Sequence, residues 1–197
     1  MKVALARGPG RRLDATMLVS LRPTRPLLAL FALSVPGFAA SLTNLSVRTT
    51  LESSQVLTVG FTAQGGSKGL LVRAAGPGLR ALGVQDAMPD PSLAVFRETN
   101  RIDGNDNWGG GAALVNAFGA AGAFPFASAA SADAALLMSA DGGRTVQVSG
   151  PARGNVLVEV YDTTPSSPAR LTNLSALNRV GTGGDILIAG ITVSGSG

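Results

Sequence analysis

The sequence predicts an all-β fold, an antiparallel β-sandwich of jelly-roll type with one or two short helical crossovers. Three observations carry that expectation. Apolar residues recur mostly with a period of two. The apolar runs are short and bounded by Gly-rich turns, with 26 Gly in 197 residues. Only two stretches break the alternation.

Taken in order, "VLTVGFTA" places Leu57, Val59, Phe61 and Ala63 on one face and Thr58, Gly60 and Thr62 on the other. "GLLVRA" groups Leu70, Val72 and Ala74. "RTVQVSG" turns Val146 and Val148 inward, and "NVLVEVYD" does the same for Val156, Val158 and Val160, with Glu159 and Tyr161 opposite. Successive side chains of a strand point to opposite faces, so each reads as half-buried. Gly142 and Gly143 in "SADGGR" accept positive φ and predict a hairpin. With the turn "SGPARGN" that gives a three-stranded meander. "GPGLRALGV" and "GAALVNAFGAAGAF" are rich in Ala and Leu without alternation, and each predicts a helical turn or short helix across an end of the sheet.

A motif returns. "LTNLS" stands at 42–46 and at 171–175, and "VLTVGFTAQGG" from Val56 aligns with "ILIAGITVSGS" from Ile186, Gly60 falling on Gly190. The spacing of about 130 residues marks a domain-sized repeat, not a solenoid coil. A unit of that size buries about two-thirds of its unfolded surface and needs no covalent staple. The expected organisation is a signal peptide over 1–39, a first unit over 40–163, a Pro/Ser linker over 164–169 and the opening strands of a truncated second unit over 170–197.

The net charge of +4 suggests a polyanion partner until the charges are located. Lys2, Arg7, Arg11, Arg12, Arg22 and Arg25 precede residue 40 against Asp14 alone. The remainder has one more acidic than basic residue, so no case for a nucleic-acid partner survives. The basic leader runs into "PLLALFALSV" and then "GFAAS". Small residues at Gly37 and Ala39 suit signal peptidase, which places the cut after Ala39 and the product outside the cell. Translation from Met17 would give a leader of more ordinary length. The apolar run is about half the ~20 residues that span a bilayer, so no transmembrane segment is expected.

The chain has no Cys and no His. Disulfides, imidazole-based nucleophilic pairs and the soft ligands of zinc or copper are thereby excluded. Hard-oxygen chemistry remains. In "RIDGNDNWGGG" the residues Asp103, Asn105, Asp106 and Asn107 are candidate calcium ligands. The spacing begins like an EF-hand loop and fails at Trp108 and Leu114, where Gly and a bidentate Glu are required. The competing and preferred reading is a turn, because Asn, Asp and Gly supply local hydrogen bonds and left-handed φ. Trp108 reads as a plug over the sandwich end, since the chain after residue 39 holds one Trp, one Tyr and five Phe, too few for a sugar-stacking face. "RAAGPGLRALG" lacks the spacing of a phosphate loop, and Arg73 and Arg80 are expected to make surface or loop hydrogen bonds. Asp86, Asp90, Asp133, Asp141 and Glu159 are the other carboxylates weighed for acid–base work; only Glu159 lies mid-strand. No catalytic or cofactor-binding residue is nominated.

The string "LTNLSVRTTL…VLTVGFTAQGGSKGLLVRAAGPGL…NDNWGG…DAALLMS…GRTVQVSG…VLVEVYD" resembles an uncharacterised tandem repeat of large secreted bacterial proteins, over 41–163 in full and 170–197 in part. The segment from "LAVF" to "VEVYD" is more weakly similar to the bacterial pre-peptidase C-terminal domain, a jelly-roll sandwich in which an Asp-rich turn sometimes holds calcium. The resemblance implies a non-catalytic structural, spacer or adhesive module of a secreted or cell-surface protein. Its partners would be neighbouring repeats, surface polysaccharide or protein. The alternative it implies is an accessory binding or export-assisting domain of a secreted hydrolase.

Overall fold

The computed structural model describes residues 40–195. The leader, its cleavage point and both candidate starts lie outside the described residues. Eight strands form the body: β1 (Ser41–Leu51), β2 (Leu57–Ala75), β3 (Ser92–Arg97), β4 (Asn100–Asn105), β5 (Ala134–Ser149), β6 (Gly154–Asp162), β7 (Arg170–Leu177) and β8 (Ile188–Ser194). A 3₁₀ turn covers Pro77–Leu82 and one α-helix, α1, covers Ala112–Ala121, the two places where alternation lapses. Among the described residues no helix is long and apolar enough to cross a membrane.

All strand pairs are antiparallel, and the ladder runs β4-β3-β5-β2-β6-β1-β7 with β8 on β1. Two long strands bend to serve both layers of the sandwich. The first half of β2 lies between β7 and the second half of β5; its second half lies between β6 and the first half of β5. The bend falls where Ala63 pairs with Gly142 and Lys68 with Ala140, leaving four residues of β2 opposite one of β5. Gly65, Gly66 and Gly142 all have positive φ there, which explains their identity.

This corrects the expected hairpin. Gly142 bends β5 within a continuous strand instead of reversing it, because β2 offers a partner on both sides of the bend. The meander is corrected with it: β6 leaves β5 and inserts between β2 and β1.

The principal core lies between the layers. Leu57, Val59, Phe61, Leu70, Val72, Val146, Val148, Val156, Val158 and Val160 are all buried there, on the faces the alternation assigns. A second core lies on the outer face of the β6–β2–β5 layer. Leu71, Ala75 and Ala135 from the strands meet Leu79 from the 3₁₀ turn, Phe118 from α1, and Trp108, Ala123 and Phe126 from loops. Trp108 stacks on Phe118 at 5.4 Å, meets Phe126 edge-on, and donates Nε1–H to the Ser128 carbonyl at 3.0 Å. It is buried with its polar atom satisfied, as a plug would be, but on the outer face of the layer and not over the sandwich end. This part of the sheet is covered on both faces.

Residues 170–194 are hydrogen-bonded into the first unit. β7 lies along β2 from Thr58 to Gln64, and β8 along β1 from Ser41 to Arg48. The segment before β7 is held as well. Lys68 Nζ reaches Asp162 Oδ2 and the Thr164 carbonyl, both at 2.7 Å, and Gly69 N–H donates to Thr164 Oγ1. Lys68, the sole lysine after residue 39, is buried at this clamp.

Candidate functional site

The Asp/Asn stretch splits between strand and turn. Asp103 and Asn105 belong to β4; Asp106 and Asn107 follow it. Asp103 Oδ1 accepts from the Gly104 N–H at 2.8 Å. Asn105 Oδ1 accepts from Ala135 N–H of β5 at 3.0 Å, and its Nδ2 donates to the Asn107 carbonyl. Asn105 therefore ties the edge hairpin to the neighbouring strand. Asp103, Asp106 and Asn107 are exposed. Among the described residues no three side chains of the Asp, Glu, His or Cys type gather closely enough to hold a metal ion.

The glycine-rich stretch after β2 does cradle an anion, and the anion is internal. The buried Asp133 carboxylate accepts from Gly76 N–H at 2.7 Å and Gly78 N–H at 3.0 Å, and from the Ser131 hydroxyl. A Cβ at Gly78 would stand 3.2 Å from that carboxylate, and one at Gly76 would collide with the Met88 carbonyl. Both glycines are fixed by close approach. Backbone amides converging on a carboxylate use the same physics as a phosphate loop. Here the cradle anchors the 3₁₀ turn to the start of β5.

Arg73 departs from expectation. It makes a loop hydrogen bond, Nη1–H to the Phe124 carbonyl at 2.8 Å, yet is fully buried. Its guanidinium lies 4.3–4.4 Å from the ring centroids of Phe118, Phe124 and Phe126. Such contacts are worth up to about 2 kcal/mol when desolvated. Arg73 pairs across the ladder with Glu159, its Nε 3.4 Å from Oε2, and Tyr161 Oη–H donates to Glu159 Oε1 at 2.6 Å. Burial pushes the Glu159 carboxyl above its ordinary range, against the pull of Arg73 and the Tyr161 hydrogen bond. Burial also raises the Tyr161 phenol and lowers Arg73, which still stays cationic because its ordinary value lies so far above neutrality. Arg73 and Glu159 are buried beneath the aromatic layer, and half-buried Tyr161 lines an open cleft beside Asn44, Gly122 and Pro165.

The pairing of Arg73 with Glu159 had a signal in the sequence. Each is a charge, of opposite sign, with an apolar neighbour on either side within its strand. Once both faces of a strand are taken as covered, such charges must find each other.

An open cleft of about 510 Å³ lies where Gly60 to Thr62 meet the β5 bend and β7. Asp141 Oδ1 stands 2.7 Å from Arg97 Nη2 and 2.6 Å from Arg144 Nη2. The Arg144 hydrogen bond, then the charge of Arg97, hold the Asp141 carboxyl below its usual range. Asn173 and Ser175 complete a shallow polar wall. Asp86 is engaged elsewhere, accepting from Asn155 Nδ2 at 2.8 Å.

No protein-family model, curated protein or solved structure matches this chain.

Proposed function

We propose that this chain is a non-catalytic structural module, a spacer or adhesive unit of a larger secreted or cell-surface protein. The observation that carries this reading is the domain-sized repeat. The motif at 42–63 returns at 171–193, and the returning strands are hydrogen-bonded to the first. Repeats that pair edge to edge set length and spacing by backbone hydrogen bonds and need no reactive group. The export-type leader and the lack of His and Cys point the same way. A second reading, an accessory binding or export-assisting domain of a secreted hydrolase, is favoured by the open cleft beside Arg97 and Asn173, whose side chains suit polysaccharide hydroxyls.

One preparation tests both. The chain is expressed with its leader in a bacterial host, recovered outside the cytosol, and offered polysaccharide arrays and generic ester, glycoside and peptide substrates. The structural reading expects export, no turnover and no saturable binding that depends on the cleft beside Arg97. Saturable binding lost on Arg97→Ala would move the assignment to the second reading. Turnover lost on Asp103→Ala or Asp106→Ala would overturn both.

A further inference from the structure

The two copies of the repeat motif pair with each other by a rule. On β2 and β7, Gly60 faces Ser175, Phe61 faces Leu174, Thr62 faces Asn173 and Thr58 faces Leu177. On β1 and β8, Ser46 faces Gly190, Leu45 faces Ile191, Asn44 faces Thr192 and Arg48 faces Ile188. In the repeat alignment Ser46 corresponds to Ser175, Gly60 to Gly190, Leu45 to Leu174 and Phe61 to Ile191. Each ladder is therefore the other with the copies exchanged. The bridge between β1 and β7 joins Leu42 to Leu171, which are equivalents of one another. That is the mark of a local two-fold axis passing between them.

The two sides of this axis are unequally clothed. The far edge of β1 is taken by β6, and the far edge of β2 by β5. Beyond the Leu42–Leu171 bridge, the corresponding edges of β7 and β8 pair with no strand among the described residues. The core face of β2, Leu57, Val59, Phe61 and Ala63, is buried. The equivalents are Leu187, just before β8 and packed against the principal core, and Ala189, Ile191 and Val193 on β8, with Ile191 62% and Val193 52% exposed. An apolar alternating face beside an open strand edge is unstable in water and invites pairing.

We propose that units of this repeat are joined by reciprocal strand exchange, the first and second strands of one unit pairing with the second and first of the next. The open edges of β7 and β8 and the exposed face of β8 then take strands of the β5 and β6 pattern in covalent continuity with β8. This rests on the structural reading above and adds how the units join: interlocked pairs, not beads on a linker.

Two experiments test it, both using the absence of native cysteine. In the 197-residue chain, the double variants Thr58→Cys/Leu177→Cys and Arg48→Cys/Ile188→Cys should each cross-link on mild oxidation. Failure of either pair in a folded chain would overturn the exchange. Next, the chain is extended after Gly197 by a copy of its own residues 68–163, which supplies strands of the β5 and β6 pattern in register. Thiol labelling of Ile191→Cys should slow by at least roughly tenfold against the unextended chain, as expected of a side chain that becomes core. An unchanged labelling rate would show the added unit folding as a separate bead. A concentration-dependent dimer of the unextended chain that already protects Ile191→Cys would make the occupant a second copy, and would equally overturn the proposal. Neither outcome bears on whether the chain binds a glycan or turns over a substrate, so the functional reading stands or falls separately.

Discussion

The same motif occupies two environments in this molecule. In β1 and β2 it is interior: Leu45 is 4% exposed and Phe61 2%. In β7 and β8 Leu174 is half-buried and Ile191 stands in solvent. Sequence and local backbone are nearly alike, so the difference lies in what covers them. β5 and β6 close over the first copy; of the second, Leu171, Leu174, Ala176 and Leu187 reach the principal core, and among the described residues no strand pairs with the outer edge of β8. A strand pattern thus specifies which face is apolar, while burial is a property of the neighbours.

The largest effect that can sharpen this comparison is a paired truncation. Phe61→Ala removes a ring from a closed core and should cost about 3–5 kcal/mol. Ile191→Ala at the equivalent position should change stability by no more than about 0.5 kcal/mol, as at other exposed sites. Urea unfolding followed by far-ultraviolet circular dichroism measures both. Equal losses would mean that β8 is already packed in solution.

Much of the sandwich was legible because alternation reports burial on one face. Leu57 to Ala63 and Val156 to Val160 are buried on the side the pattern assigns. The pattern is silent where both faces are covered, so the second core around Leu71, Ala75 and Arg73 was not visible. Gly142 misled for a related reason. Positive φ is required both by a hairpin and by a bend within a strand, and only the partner strand distinguishes them. The glycines of "AAGPG" read correctly as structural, but their ligand Asp133 stands more than fifty residues away, beyond the reach of local pattern. No candidate catalytic constellation could be read, and the carboxylates weighed are spent on backbone amides, an amide side chain or ion pairs in the cases of Asp86, Asp133, Asp141 and Glu159.

The two cores differ in polarity as well, and Arg73 is the way to probe that. Arg73→Met leaves Glu159 buried without its counter-charge and should cost about 3 kcal/mol near neutral pH. Adding Glu159→Leu should recover most of the loss, because it is the orphaned carboxylate that is expensive. A double variant no more stable than the single one would place the value of Arg73 in its three-ring cage instead. The pH dependence follows from the raised Glu159 carboxyl. Such a group binds its proton more tightly in the folded state than in the unfolded chain. Its contribution is therefore full below the ordinary glutamate range and declines as pH rises toward the folded value. A tenfold difference in proton affinity between the two states is worth about 1.4 kcal/mol. Denaturation across that window should show this falling component in the parent and lose it in Glu159→Gln.

A smaller contrast sets Gly60 against Gly190. A Cβ at Gly60 would stand 2.5 Å from Ser175 Oγ, whereas one at Gly190 meets nothing within 4 Å. Gly60→Ala should cost about 1 kcal/mol, since the hydroxyl can swing aside at some cost in packing. Ser175→Ala in the same chain should restore it. Gly190→Ala should be neutral to within about 0.5 kcal/mol. If Gly190→Ala proves as harmful as Gly60→Ala, Ser46 crowds Gly190 in solution as Ser175 crowds Gly60, and the two ladders are equivalent.

The smallest expected effect concerns calcium at the Asp103–Asn107 stretch. An extracellular site binds with a dissociation constant of roughly 0.1–1 mM. At about 10 mM calcium such a site would stabilise the fold by roughly 1.4–2.7 kcal/mol. That corresponds to a rise in Tm of about 3–10 °C for a domain of this size. The geometry argues for far less. The Asn105 carbonyl, which a cation would need, is already accepting the Ala135 N–H, and Asp103 Oδ1 is accepting the Gly104 N–H. A metal would have to displace both bonds and draw in Asp106 from solvent against its own hydration. The expected change in Tm, with calcium or with chelator, is therefore below about 1 °C. A rise of several degrees that Asp106→Asn abolishes would convert the turn into a metal site and give the edge hairpin a ligand-dependent stability that the β1–β2 region lacks.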